Sequence, residues 1–328
     1  MPTETLRISD LRVGFGTGDD QVLAVDGVDL ALTPGRVHAL VGESGSGKSV
    51  TGLTVLGLSR SRTTQIDGKI AYADQDLATL GEPELRRLRG RELAMVFQDP
   101  MTSLNPLHRV GRQIAEMVRL HDRAGRRDAA RRAVELLREV EIPDPERAAR
   151  AFPHEFSGGM RQRVMIAIAL ACRPRVLIAD EPTTALDVTI QAQILALVRT
   201  LCQDHGTAVL LVTHDLGVVA QYADEVSVMY VGEIVETGTV GEVLADPRHP
   251  YTRGLLGAIP RLRGPKKARL ATIPGSVPVF TAATAATTGC RFAARCGHAH
   301  DRCVERPPVR DLGAGRSVRC WLGQGEDA

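Results

Sequence analysis

The octapeptide Gly42-Glu43-Ser44-Gly45-Ser46-Gly47-Lys48-Ser49 constrains this chain more than any other stretch. It fills every fixed position of a G-x-x-x-x-G-K-[ST] loop, and the apolar run Val37-His38-Ala39-Leu40-Val41 supplies the strand that such a loop follows. Val50 to Leu58 can continue as the helix that it precedes. A strand, a glycine-rich turn and a helix in that order imply an α/β sheet, with backbone N–H groups and a helix N-terminus converging on one anion. Lys48 is then placed for the β- and γ-phosphates of a nucleotide, and the Ser49 hydroxyl for Mg²⁺. Ser44, Ser46 and Val50 are the remaining candidate contacts of the loop.

The length of 328 residues accommodates one large domain and a small appendage. A net charge of +2 gives no overall drive toward nucleic acid or anionic lipid. The first ten residues mix acids with alternating apolar positions, unlike a secretion signal. No run of about 18 apolar residues appears, so no membrane span is expected.

Leu6, Ile8 and Leu11 to Phe15, then Val22 to Leu32, read as short alternating strands, with Val28, Leu30 and Leu32 on one face, closed by a turn at Pro34-Gly35. Phe15 is either a core aromatic or a platform on which adenine stacks. A buried strand over Leu93–Phe97 ends at Gln98, where a side chain can touch Mg²⁺ or an attacking water. Leu107 to Ala151 reads as amphipathic helices, with Ala133, Leu136, Leu137 and Val140 on the apolar face. Ser157-Gly158-Gly159 opens a further helix, and such an opening has the chemistry of a second anion site. The continuous apolar run Val176–Ala179 is a strand buried on both faces that ends in Asp180-Glu181. Asp180 suits Mg²⁺, and Glu181 suits polarisation of the attacking water. Thr184 to Asp187 leads into another helix, Ile190 to Leu201. His214 follows the strand Val209–Thr213 and can hydrogen-bond a γ-phosphate. Val226 to Glu236 reads as a terminal hairpin.

In this order, the phosphate loop, glutamine, Ser-Gly-Gly, Asp-Glu, Ala-Leu-Asp and histidine resemble the nucleotide-binding subunit of an ATP-binding cassette transporter, over roughly residues 5 to 245. The resemblance implies a P-loop NTPase cassette of α/β class, with an antiparallel β subdomain and a helical subdomain at about 99–165. The cassette spans residues 1–250, and an extension spans 251–328. It implies two cassettes closing head to tail, each ATP held by the phosphate loop of one and by Ser157, Gly158 and Gly159 of the other. It also implies Phe15 as the adenine platform, Gln98 as the coupling glutamine, Glu181 as catalytic base, Asp187 in the dimer-contacting loop and His214 as the switch histidine. Met160 stands where the wider family most often has glutamine.

Longer strings resemble the first ATPase subunit of the oligopeptide, dipeptide and nickel importer branch. They are Ser157 to Ala167, Ala179 to Gln193 and His249-Pro250-Tyr251-Thr252. That branch implies peptide import, with nickel as the alternative solute. It also implies a different second cassette subunit, two transmembrane permease subunits, an extracytoplasmic solute-binding protein and a place at the cytoplasmic face of the membrane. No nucleic acid is expected: a cassette working on DNA calls for a basic groove, long coiled-coil inserts or two cassettes per chain.

Beyond about Pro260 the composition shifts to Arg, Pro, Gly, Ala and Thr, with a flexible stretch expected at Thr281 to Thr288. Four of the six cysteines, Cys290, Cys296, Cys303 and Cys320, follow it at spacing C-x5-C-x6-C-x16-C. Clustered thiols in a reducing compartment suit zinc or an iron–sulfur group better than disulfides. The importer branch carries such a tail, and the resemblance favours a [4Fe–4S] cluster over Zn²⁺. His298 and His300 are neighbours that could substitute as ligands, and Cys172 and Cys202 read as core residues.

Overall fold

Strand β3, Val37–Val41, is buried at all five positions, as a strand covered on both faces must be. It lies in a computed structural model that describes residues 4–18, 21–99, 103–184, 186–259, 272–278 and 289–323. The stretch Thr281 to Thr288 lies outside the described residues. The chain forms two compact units. One comprises residues up to Leu6, Leu32–Val37 and Thr79–Leu211; the other comprises Arg7–Ala31, His38–Ala78 and the chain from Val212 onward.

The unit that carries the phosphate loop holds two sheets. The first is four-stranded in the order β2-β1-β4-β5, from β1 (Leu6–Phe15), β2 (Val22–Leu32), β4 (Thr64–Tyr72) and β5 (Gln75–Asp76). Strand β1 is continuous. Its buried positions run Leu6, Ile8 and then Leu11, Val13, a slip of one in the alternation. Asp10 absorbs the slip with a left-handed φ of 47°, which Asp adopts more readily than most residues.

The second set of strands runs β11-β12-β10-β9-β3. Here β9 (Glu225–Tyr230) is parallel to β3, pairing Val41 with Val228, and β10 (Glu233–Thr239) is antiparallel to β9. Residues Val226 to Glu236 do form a hairpin, but it does not end the sheet. Strand β12 (Arg316–Arg319) pairs with β10 through Glu236 and Val318, and β11 (Val309–Gly313) pairs with β12. Strands β11 and β12 thus join the tail to the sheet that carries the phosphate-loop strand. The core joins Val41, Val226, Val228 and Val235 to Tyr230, Tyr251 and Phe292.

The other unit contains β7 (Val176–Asp180), β6 (Leu93–Val96) and β8 (Ala208–Thr213) as far as Leu211, in the order β8-β7-β6, with β6 and β7 parallel. Strand β6 ends one residue before the expected Phe97, which is 42% exposed. Helices Val110–Asp122 and Arg126–Glu139 bury Val110, Ile114 and Val118 and Ala133, Leu136 and Leu137. Among the described residues no helix is long and apolar enough to cross a membrane.

Candidate functional site

The phosphate loop is shaped by steric limits at two of its glycines. A Cβ on Gly42 would fall 2.1 Å from the Met229 carbonyl oxygen. At Gly47, φ is +104° and a Cβ would fall 2.2 Å from the Ala24 carbonyl oxygen. Only glycine fits either place. The helix Lys48–Val55 begins at Gly47, which as a glycine provides no side-chain cap. The Lys48 ammonium donates to the carbonyl oxygens of Gly42 and Glu43 at 2.8 and 2.9 Å and to the Ser46 hydroxyl at 3.4 Å. Outside the loop, the Gly232 N–H donates to the Ser46 carbonyl at 2.8 Å.

Two contacts from far along the chain reach Glu43. Its backbone N–H donates to the Tyr251 hydroxyl at 2.9 Å, and its carboxylate takes both terminal nitrogens of Arg295 at 2.7 and 3.0 Å. Sequence reasoning quoted Tyr251 within a family string without giving it a role, and it had no signal for Arg295. In this unit Phe15 is half-buried at the end of β1 and His214 is exposed at the end of β8.

In the other unit, the Gln98 amide donates to Glu181 Oε2 at 3.0 Å, and the Thr184 hydroxyl donates to the same oxygen at 3.0 Å. Two of the sequence candidates, Gln98 and Glu181, are therefore in contact, and Thr184 joins them. Glu181 has φ +44°, a left-handed conformation that costs a residue with a Cβ about 1–2 kcal/mol. Asp180 precedes it, buried at the end of β7. Ser157 caps the helix Gly158–Leu170 by accepting from the Met160 N–H at 3.3 Å. Asp187 caps Val188–His205 by accepting from the Ile190 N–H at 3.0 Å. These two helix starts meet, since a Cβ on Gly159 would press within 2.7 Å of the Ile190 side chain.

The tail cysteines Cys290, Cys296, Cys303 and Cys320 line one pocket together with His298 and His300, and none is in a disulfide. Burial, then the nearness of the other thiols, pushes the Cys290 thiol up to about 11, and burial also raises Cys296 and Cys320. Gathered as they are, these side chains are not drawn in as a ready metal centre. Among the described residues no three His, Cys, Asp or Glu side chains form a group that could hold a metal ion. Cys202 is a core residue as expected, its thiol pushed up to about 12 by burial, whereas Cys172 is only half-buried.

A glycine-shaped phosphate loop on a parallel strand, with an acid pair ending a second buried strand, defines a P-loop ATPase cassette. Residues 25–184 match the family model for the ABC transporter, and residues 235–303 match that for the oligopeptide/dipeptide transporter C-terminal region. The chain is 49% identical to the oligopeptide transport ATP-binding protein AppD of Bacillus subtilis over 325 residues, 98% of each chain. It is 49% identical to the oligopeptide transport ATP-binding protein OppD of the same organism over 322 residues, 98% of this chain and 89% of that one. Among solved structures it is similar to the dimeric post-hydrolysis state of the ATP-binding cassette MJ0796 bound to ADP and Pi. That match has TM-score 0.64 and 27% identity, and covers 72% of this chain and 98% of that one. The chain belongs to the ABC transporter ATP-binding family, in its oligopeptide/dipeptide branch, and is an ATPase. Relatives named for oligopeptide transport do not favour nickel or DNA as the alternative.

Proposed function

We propose that this chain hydrolyses MgATP to power import of peptides through separate permease subunits, paired head to tail with a second cassette ATPase at the cytoplasmic face of the membrane. A solute-binding protein on the other side would deliver the peptide. The observation that carries the reading is the match to relatives named for oligopeptide transport along nearly the whole chain, including the C-terminal region at 235–303. In this reading Phe15 stacks adenine, and Gly42 to Val50 surround the phosphates. Ser49, Gln98 and Asp180 serve Mg²⁺, and Glu181 takes the proton from the attacking water. His214 senses the γ-phosphate. Ser157, Gly158, Gly159 and Asp187 serve the nucleotide of the partner cassette. Two aligned donors, Gln98 and Thr184, fix the Glu181 carboxylate, which supports its role as a base that must be aimed before it acts.

The same proposal assigns Cys290, Cys296, Cys303 and Cys320 to a thiolate-held group, a [4Fe–4S] cluster before zinc. The donor set fits in kind and number: four thiols line one pocket, and a cationic centre there would offset the burial that raises Cys290, Cys296 and Cys320. Bound, such a group would cross-link the tail.

The test co-purifies the chain with its membrane partners, reconstitutes the complex in vesicles and adds a mixed peptide pool with the solute-binding protein. ATP-dependent peptide accumulation is the expected result. ATPase activity indifferent to every peptide, but raised by nickel with its own binding protein, would overturn the peptide reading. Iron, sulfide and zinc content after purification without oxygen decides the cysteine assignment.

A further inference from the structure

The tail of this chain touches the phosphate loop at its first variable residue, Glu43, through both backbone and side chain. We infer that Tyr251 and Arg295 are positioning residues for nucleotide binding, acting through Glu43 on the seat of Lys48. This rests on the reading of Gly42 to Ser49 as the phosphate site.

The contacts form one connected path. Tyr251 takes the Glu43 N–H, and Arg295 grips the Glu43 carboxylate with two hydrogen bonds, the geometry in which a guanidinium fixes orientation as well as charge. The carbonyl of the same Glu43 and that of Gly42 next to it are the principal acceptors of the Lys48 ammonium. A shift of Glu43 therefore moves the atoms that hold the lysine expected to meet the phosphates.

Both outer residues are themselves fixed. Tyr251 is fully buried, with its ring centre 4.7 Å from that of Tyr230 and 5.4 Å from that of Phe292. Arg295 donates through Nε to the Pro274 carbonyl at 2.8 Å and through Nη1 to the Tyr230 hydroxyl at 3.3 Å. Its side chain is only 6% exposed, whereas the Glu43 side chain is 28% exposed. The extension supplies the rigid side of the contact and the loop the movable side. Preorganising a loop in its binding conformation lowers the ordering cost that the ligand would otherwise meet. Lysine at 295 would keep the charge and lose the fork, so it should recover only part of the effect.

The experiment measures MgATP affinity by equilibrium titration, turnover, and thermal midpoint without nucleotide, all on the full chain. The variants are Glu43→Gln, Arg295→Met, Arg295→Lys, Tyr251→Phe, the pair Glu43→Gln with Arg295→Met, and Lys48→Ala. We expect Glu43→Gln and Arg295→Met each to weaken MgATP about tenfold, the scale of losing a charge-assisted pair, with turnover at saturating ATP little changed in Arg295→Met. The double variant should bind no worse than the weaker single one, since both break one contact. Arg295→Lys should fall between wild type and Arg295→Met. Tyr251→Phe, which keeps the ring and drops the acceptor, should weaken binding about threefold. If Arg295→Met does not fold, Glu43→Gln, at the more exposed end, carries the same test.

Binding within about twofold of wild type in Glu43→Gln and Tyr251→Phe, with Lys48→Ala losing affinity, would overturn this inference and leave the phosphate-site reading standing. Wild-type affinity in Lys48→Ala would overturn both.

Discussion

Replacing Glu181 by Gln separates proton acceptance from the shape of the site. Glu181 follows β7 at φ +44°, and its carboxylate accepts from Gln98 and Thr184, each at 3.0 Å and both on Oε2. Glutamine keeps one carbonyl oxygen that can accept from both donors, so the geometry survives. The change from charged to neutral acceptor costs about 1 kcal/mol of stability. Removing a general base costs about 10²–10⁴ in rate, or about 3–5 kcal/mol of barrier. Turnover should therefore fall at least about a hundredfold while MgATP affinity moves less than about threefold, a loss confined to the transition state. Phosphate release under saturating ATP and equilibrium ATP binding on one preparation check both halves. Retention of more than about a tenth of wild-type turnover would remove Glu181 as the base. The left-handed backbone gives an independent check. Glu181→Gly and Glu181→Ala lose the same hydrogen bonds, so the glycine variant should be the more stable by about 1 kcal/mol, and the reverse order would refute the strain argument.

Three further outcomes follow from single positions. Gly47→Ala places a Cβ 2.2 Å from the Ala24 carbonyl oxygen at φ +104°, so it should cost at least about 2 kcal/mol and abolish nucleotide binding; thermal melting and ATP titration read both. His249 is deeply buried, and burial brings its imidazole down to about 3 from the ordinary 6.5. It is held neutral, with Nδ1 accepting from the Tyr251 N–H at 3.0 Å. Because its folded value lies below its unfolded one, its stabilisation is complete above about pH 6.5 and is lost as pH falls toward 3, by about 2 kcal/mol at pH 5. Urea midpoints at pH 7.5 and 5.0 should therefore separate more for wild type than for His249→Asn, and equal separation would refute the assignment. Arg291 pairs with Asp26 and with Glu233, whose side chains are 9% and 3% exposed. Arg291→Met should cost about 3 kcal/mol in urea unfolding, because it withdraws one partner from two buried carboxylates and leaves Asp26 to Arg12 and Arg306 and Glu233 to Arg306.

The parts of the site that were legible in the sequence are those whose chemistry is local. Gly42, Gly45 and Gly47 set their own backbone. The strand before the loop announces itself because burial on both faces demands an unbroken apolar run, and β7 does the same for Asp180 and Glu181. Asp187 and Ser157 cap helices with side chains three residues from their partners, which a sequence pattern can show. Strand β1 was half legible: its alternation is plain on either side of Asp10, but the left-handed residue that joins the halves is a backbone conformation with no fixed residue pattern.

Contacts between distant segments were not legible, for a reason that is physical. Glu43 and Arg295 are 252 positions apart, and in a chain with 41 lysines and arginines an arginine has no feature that marks it as the buried one. Its role is created by its neighbours. In the short segment from Cys290 to Cys296, Arg291 is anchored to Asp26 and Glu233, Phe292 is packed against Tyr230 and Tyr251, and Arg295 is locked on Glu43. The cysteines at its two ends line the thiol pocket. One stretch of backbone thus satisfies an ion-pair network, an aromatic core, the phosphate loop and the cysteine pocket at once. A shift of this segment would therefore disturb all four contacts together, which is why its role cannot be read from any one of its residues alone.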